Sequence, residues 1–152
     1  MKPDEAFHFA RKRLASRFPE RAHDHDYFEV FLVEKGRTAH WINGETQMLE
    51  PGQLAFIRPS DTHAFSADRQ AGCQIINVMF RIETARHLAA RYHSVIGGNF
   101  FDAKAAMPDM HRLGPVRFAL AINVARQLQT ANQNELFARH NQAMGCITCR
   151  QP

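Results

Sequence analysis

Residues 6 to 82 alternate short apolar runs with turn residues, at a spacing that suits strands rather than helices. The run FEVFLVEKG (28–36) is aromatic and β-branched and stops at a glycine. In RTAHWINGETQML (37–49), Asn43-Gly44 separates two strand-like halves. That dipeptide accepts the positive φ of a type I′ turn, which predicts a tight hairpin joining strands near 37–42 and 45–49. Pro51-Gly52 marks the next turn, followed by an apolar strand at 53–57 and a Pro-Ser-Asp loop ending at His63. CQIINVMFRI (73–82) reads as another buried strand. Short strands punctuated this regularly predict an all-β sandwich or barrel, one sheet folded on itself.

Beyond residue 82 the period lengthens. ETARHLAARYH (83–93) has helical spacing, with Ala85, Leu88, Ala89 and Tyr92 available for one face. GGNFFDAKAAMPDMHRLG (97–114) carries Gly97, Gly98, Pro108 and Gly114 and reads as a connector. Pro115 suits the first turn of a helix, and Val116, Leu120, Val124 and Leu128 then form one apolar stripe. Such a stripe packs on its own domain or faces a partner subunit. The expected architecture is one domain: a barrel core with an N-terminal arm (1–82) and a helical segment packed on it (83–152).

Composition narrows the class. A chain of 152 residues with 12 phenylalanines and 45% hydrophobic residues can bury a substantial interior. It holds no apolar run long enough for a membrane-spanning helix, and MKPDEAFHFARKRL lacks the apolar centre of a signal peptide. A cytoplasmic location is the expectation. Three cysteines, Cys73, Cys146 and Cys149, are too sparse for a secreted disulfide framework. The Cys146-x-x-Cys149 pair lacks the second ligand pair that a zinc site needs, and reads as tail. The net charge of +4 is concentrated in RKRLASRFPER (11–21), read as a solvated face rather than a nucleic-acid surface.

The chemistry concentrates in AHDHDYFEVFLVEKG (22–36). His23, His25 and Glu29 share parity, so an unbroken strand aims all three to one side. Two imidazoles and a carboxylate suit zinc, iron, nickel, copper or manganese better than calcium or magnesium. His63, at the end of the loop after the 53–57 strand, is the candidate fourth ligand from across the barrel. A pocket in which these groups only hydrogen-bond is the alternative. Tyr27 shares their parity and is a candidate contact for a bound small molecule. His40 and Trp41, on the hairpin arm, are further candidates, although a surface or satisfied histidine and a packing tryptophan are the blander readings.

His23-x-His25-x3-Glu29-x6-Gly36 resembles the first cupin motif, lacking its leading glycine, where Arg17 stands. GQLAFIRPSDTH (52–63) resembles the second, with Arg58 for its first proline and Ser60 for its glycine. The resemblance implies a metal held by His23, His25, Glu29 and His63, with zinc, nickel, iron or manganese as candidates. A longer stretch, from about residue 6 to about 135, resembles the N-terminal effector-binding domain of AraC-type transcription regulators, nearest the chitobiose-responsive subgroup. That likeness implies a cupin jelly roll followed by α-helices, and a non-enzymatic, cytoplasmic sensor of a small molecule such as a sugar. It further implies a homodimer through the C-terminal helices, with DNA reached only through a helix-turn-helix domain absent from this chain. The competing readings are a free-standing metal-dependent cupin enzyme (dioxygenase, isomerase or decarboxylase) and a plain dimerisation module with an empty pocket.

Overall fold

A computed structural model of the chain describes residues 6–14, 21–68, 72–96, 105–108 and 110–130. Its elements run β1 (Phe7–Leu14), β2 (Phe28–Gly36), β3 (Thr38–Ile42), β4 (Glu45–Leu49), β5 (Gln53–Ile57), β6 (His63–Ala67), β7 (Cys73–Phe80), α1 (Ile82–Ile96) and β8 (Met110–Arg112). A second helix, α2, covers 115–130. The strands form two antiparallel sheets, ordered β1-β7-β2-β5-β8 and β4-β3-β6. Together they make a cupin-type jelly roll followed by helices.

Alternation along the strands fills the space between the sheets. Phe31 and Val33 of β2, Ile42 of β3, Leu49 of β4, Ile57 of β5, Phe65 of β6 and Ile75 of β7 belong to one buried cluster. Several intervening residues of the larger sheet, Val30, Leu54 and Val78 among them, are also apolar, which a sheet with one wet face does not need. Leu32 and Ile76, with Phe9 of β1, form a second cluster with Ile122 and Ala125 of α2. Phe118 and Ala121 pack against that cluster too.

The stripe on α2, for which packing on its own domain and facing a partner are both open, is not the face that this chain buries. Val116, Leu120, Val124 and Leu128 remain 81%, 61%, 45% and 36% exposed. The small side chains of Ala121 and Ala125 let the helix approach the sheet on the adjacent face. The α1 face is likewise uneven: Ala85 is buried, while Tyr92 is exposed at a kink in the helix.

Two backbone positions explain motif residues. Asn43 (φ 49°) and Gly44 (φ 92°) form the expected hairpin turn, which sets β3 and β4 in register from Ile42↔Glu45 to Thr38↔Leu49. Gly36 has φ 73°, and a Cβ there would lie 2.0 Å from the Gly72 carbonyl oxygen. Only glycine lets the end of β2 pass this close to the start of β7.

Three stretches fill out the expectation. The basic run begins in β1, antiparallel to β7, with Lys12, Arg13 and Arg21 exposed as a solvated face requires and Arg11 drawn in. Arg11 forks onto Glu34, with Nη2 at 3.0 Å from Oε1 and Nε at 2.9 Å from Oε2, and its Nη1 donates to Gln129 Oε1 at 3.0 Å. The segment read as a connector contributes β8, which pairs with β5. The Pro-Ser-Asp loop leads into β6, which pairs with β3. Cys146 and Cys149 lie outside the described residues. No helix among the described residues is long and apolar enough to cross a membrane.

Candidate functional site

Residues 21 to 27 cross from one sheet to the other at the barrel mouth. His23 and His63 exchange backbone hydrogen bonds, His23 N to His63 O at 3.0 Å and His63 N to His23 O at 2.9 Å. This bridge ties the incoming chain to the start of β6. Five residues later the chain enters β2, in the other sheet. The expected unbroken strand is thus absent, and strand parity places Glu29 alone. The crossing does the rest: His25 arrives from the connecting segment, Glu29 from β2 and His63 from β6.

One ligating atom from each of His25, Glu29 and His63 lies within 4.8 Å of the other two. Glu29 and His63 are buried and His25 is partly so. His25 Nδ1 lies 2.8 Å from the Tyr27 carbonyl oxygen, which accepts only from an N–H. Neutral His25 therefore has its lone pair on Nε2, and that atom faces Glu29 Oε2 at 3.3 Å. A lone pair against a carboxylate is repulsive unless a proton or a cation lies between them. Neither ring nitrogen of His63 has a hydrogen-bond partner among the described residues. Burial pushes the His63 imidazole down to about 4; Glu29 opposes this, and the neighbouring histidines His40, His23 and His25 add to it. These imidazoles and the carboxylate are a donor set for a transition metal, with His25 oriented through its other nitrogen as metal-bound histidines commonly are. The residues present fit a metal.

His23 stands apart from that set. It is exposed, its Nδ1 lies 3.1 Å from the Arg21 carbonyl oxygen, and its ring centroid is 4.6 Å from that of His63. His40 is 1% exposed, which corrects the reading of a surface or satisfied histidine. Neither of its ring nitrogens has a hydrogen-bond partner among the described residues. Its ring stacks on Phe65 (centroids 5.0 Å apart) and meets Phe31 and His63 edge-on at 5.1 and 5.7 Å. Burial pushes its imidazole down to about 4 against the opposing pull of Asp61. Trp41 follows His40 on β3 and so projects from the opposite face of the strand, half-buried. Tyr27 stacks on His25 with centroids 4.0 Å apart, beside a surface hollow of about 300 Å³ bounded by Asp26, Arg81, Ile82 and Glu83.

Sequence reasoning missed the brace behind His63. Asp61, buried, accepts hydrogen bonds from Arg58 N (2.7 Å), Nε (3.0 Å) and Nη2 (2.7 Å) and from Asn43 Nδ2 (2.8 Å). Burial raises the carboxyl's pKa, but these bonds outweigh it and hold Asp61 below the ordinary carboxylate range. The turn residue Asn43 also accepts from Thr62 N at 3.0 Å. The departure from the second motif at Arg58, with Asp61 three residues on, was the available signal, since a charged pair at that spacing can close its own loop.

The profile of the AraC-like ligand binding domain matches residues 2–140. The chain belongs to this family. Membership makes it a ligand-binding domain rather than an enzyme. Its curated relatives include the HTH-type transcriptional activator RhaS of Escherichia fergusonii, 32% identical over 79 residues, and that of Yersinia pestis, 37% identical over 70. Those matches cover 52% and 46% of this chain and 27% and 24% of the relatives, so the matched part spans about a quarter of their length. Among solved structures, a Cupin 2 conserved barrel domain protein from Salinispora arenicola is similar over 60% of this chain and 79% of its own, at 17% identity and a TM-score of 0.49. The mouth of the barrel in this AraC-like domain carries His25, Glu29 and His63 as a cluster that could hold a metal ion.

Proposed function

We propose that this AraC-like domain is the sensor part of a cytoplasmic transcription regulator, binding a divalent transition metal and a small oxygen-bearing effector at the barrel mouth. The observation that carries the reading is the facing of His25 Nε2 and Glu29 Oε2, with the unpartnered His63 ring completing the set. His25, Glu29 and His63 would hold the metal, with His23 at the rim as a fourth ligand if its ring turns from the Arg21 carbonyl. Zinc, nickel, iron and manganese all suit the donors. When bound, the metal supplies a Lewis-acidic position for an oxygen of the effector.

The chain's own residues supply the rest. His40 offers two ring nitrogens to a polar group entering the barrel, and Tyr27 holds the His25 ring by stacking and through its carbonyl. A sugar is a reasonable effector class, and the chitobiose-like subgroup of the sequence resemblance makes that disaccharide the first to try. The exposed stripe of α2 is the surface through which two copies would pair. DNA would be met through a helix-turn-helix domain outside this chain, as the names of the relatives suggest.

Thermal-shift titration with small sugars and hydroxy acids, chitobiose among them, in the presence of zinc tests this. The reading predicts that zinc raises the midpoint, that an effector raises it further, and that Glu29→Gln abolishes both responses. A midpoint insensitive to zinc contradicts the metal. Equal effector responses in wild type and Glu29→Gln would put the ligand elsewhere.

A further inference from the structure

The loop that delivers His63 is fastened to a segment far away in sequence. Arg58, 5% exposed, holds Asp61 through Nε and Nη2 and donates from Nη1 to the Ala105 carbonyl oxygen at 2.7 Å. Asn43 Nδ2, bonded to Asp61, lies 3.4 Å from the Ala106 carbonyl oxygen. Met107 packs against the cluster inside the barrel. Three residues on, β8 begins, pairing with β5 through Ala55↔Met110, Leu54↔His111 and Gln53↔Arg112. Leu113 N donates to the Gly52 carbonyl oxygen at 2.8 Å, and α2 starts at residue 115. The His63 loop, the 105–107 segment, β8 and the start of α2 therefore form one connected set of hydrogen bonds and strand pairs.

We propose that Arg58 is a positioning residue that couples the state of the barrel-mouth cluster to β8 and α2, by gripping Asp61 on the His63 loop with one edge of its guanidinium and the Ala105 carbonyl with the other. The inference rests on the metal reading above, because closure of His25, Glu29 and His63 on a cation is what would fix the 58–63 loop. With that loop fixed, Arg58 holds the 105–107 segment against the barrel, and β8 opens less often. Only a planar fork with donors on two edges can hold both partners; a lysine ammonium keeps the charge against Asp61 and releases Ala105. A coupling of this kind is a difference in free energy between two states of one element, which zinc at one end and amide opening at the other both report.

Hydrogen exchange of the chain, with and without zinc, is the test, read at the amides of Ala105, Ala106, Met107 and β8. Zinc is expected to slow exchange there by about fivefold or more in wild type. In Arg58→Lys it is expected to bind with unchanged affinity by calorimetry and to leave these amides unprotected. A purely structural Arg58 would alter basal exchange or fold stability, not the zinc-dependent difference. Arg58→Leu, which strips the charge partner from Asp61, should lose the difference as well, and if it does not fold the lysine variant decides. Zinc that binds wild type without slowing these amides overturns the coupling alone. Equal slowing in wild type and Arg58→Lys also overturns it. Zinc that does not bind at all overturns the metal reading and the coupling with it.

Discussion

His40→Phe should make the metal-free protein more stable. The wild-type ring is buried between Phe31 and Phe65 with both nitrogens unpartnered, and its imidazole is pushed down to about 4. A buried polar group without a partner costs about 1–3 kcal/mol. A phenyl ring keeps the stacked and edge-on contacts, and its extra bulk costs about 1 kcal/mol. The net gain at pH 7 is then about 0–2 kcal/mol, centred near 1, or roughly 2–4 °C in midpoint at that centre for a chain of this length.

The sign of the pH dependence follows from the same residue. Folded His40 stays neutral down to about pH 4, whereas the unfolded chain takes up a proton near 6.5. Across that window the unfolded state binds more protons, so wild type loses stability as the pH falls. The loss from this residue approaches about 3 kcal/mol by the lower end, because each tenfold difference in proton affinity between the folded and unfolded chain is worth about 1.4 kcal/mol. The advantage of His40→Phe should therefore widen between pH 6.5 and 4. Urea denaturation in EDTA at several pH values measures it. A variant no more stable than wild type at pH 7, with the same acid slope, would refute the claim that His40 is buried without a partner. The stability gained should come with lost effector binding, the usual relation at a site strained for function.

Gly36→Ala should destabilise the domain by about 3 kcal/mol, since it combines a positive φ with a Cβ on the Gly72 carbonyl; a change under about 0.5 kcal/mol in urea denaturation would contradict that packing. Leu120→Glu with Val124→Glu should leave the fold intact, both side chains being well exposed, and shift sedimentation toward monomer; an unchanged sedimentation coefficient would remove α2's stripe from the interface.

The elements legible from sequence were those whose signal is local. Asn43-Gly44 and Pro51-Gly52 fixed β3, β4 and β5 because each turn dictates its own backbone. β1 was hidden, since arginine and lysine on an edge strand mask its alternation, and edge strands favour such residues. β8 has three exposed residues and exists through its pairing with β5, which no local pattern reveals. For α2, the stripe of larger side chains left packing on its own domain and facing a partner both open, and the chain buries the adjacent face because alanine at 121 and 125 allows closer contact than bulk would predict. At the site, residue types and spacing pointed to His23, His25, Glu29 and His63, of which the fold brings the last three together, by a chain crossing rather than by strand parity. The burial of His40 and the Arg58–Asp61–Asn43 brace depend on partners distant in sequence, and only the fold supplies them.

The central claim is that His25, Glu29 and His63 form one set of donors that a single cation joins. Elemental analysis after loading with zinc and desalting, on wild type and on a Glu29→Gln, His63→Ala double variant shown to be folded by circular dichroism, tests it most directly. The account predicts about one zinc per chain in wild type and close to none in the double variant. Equal zinc in the two proteins, or none in either, would contradict it.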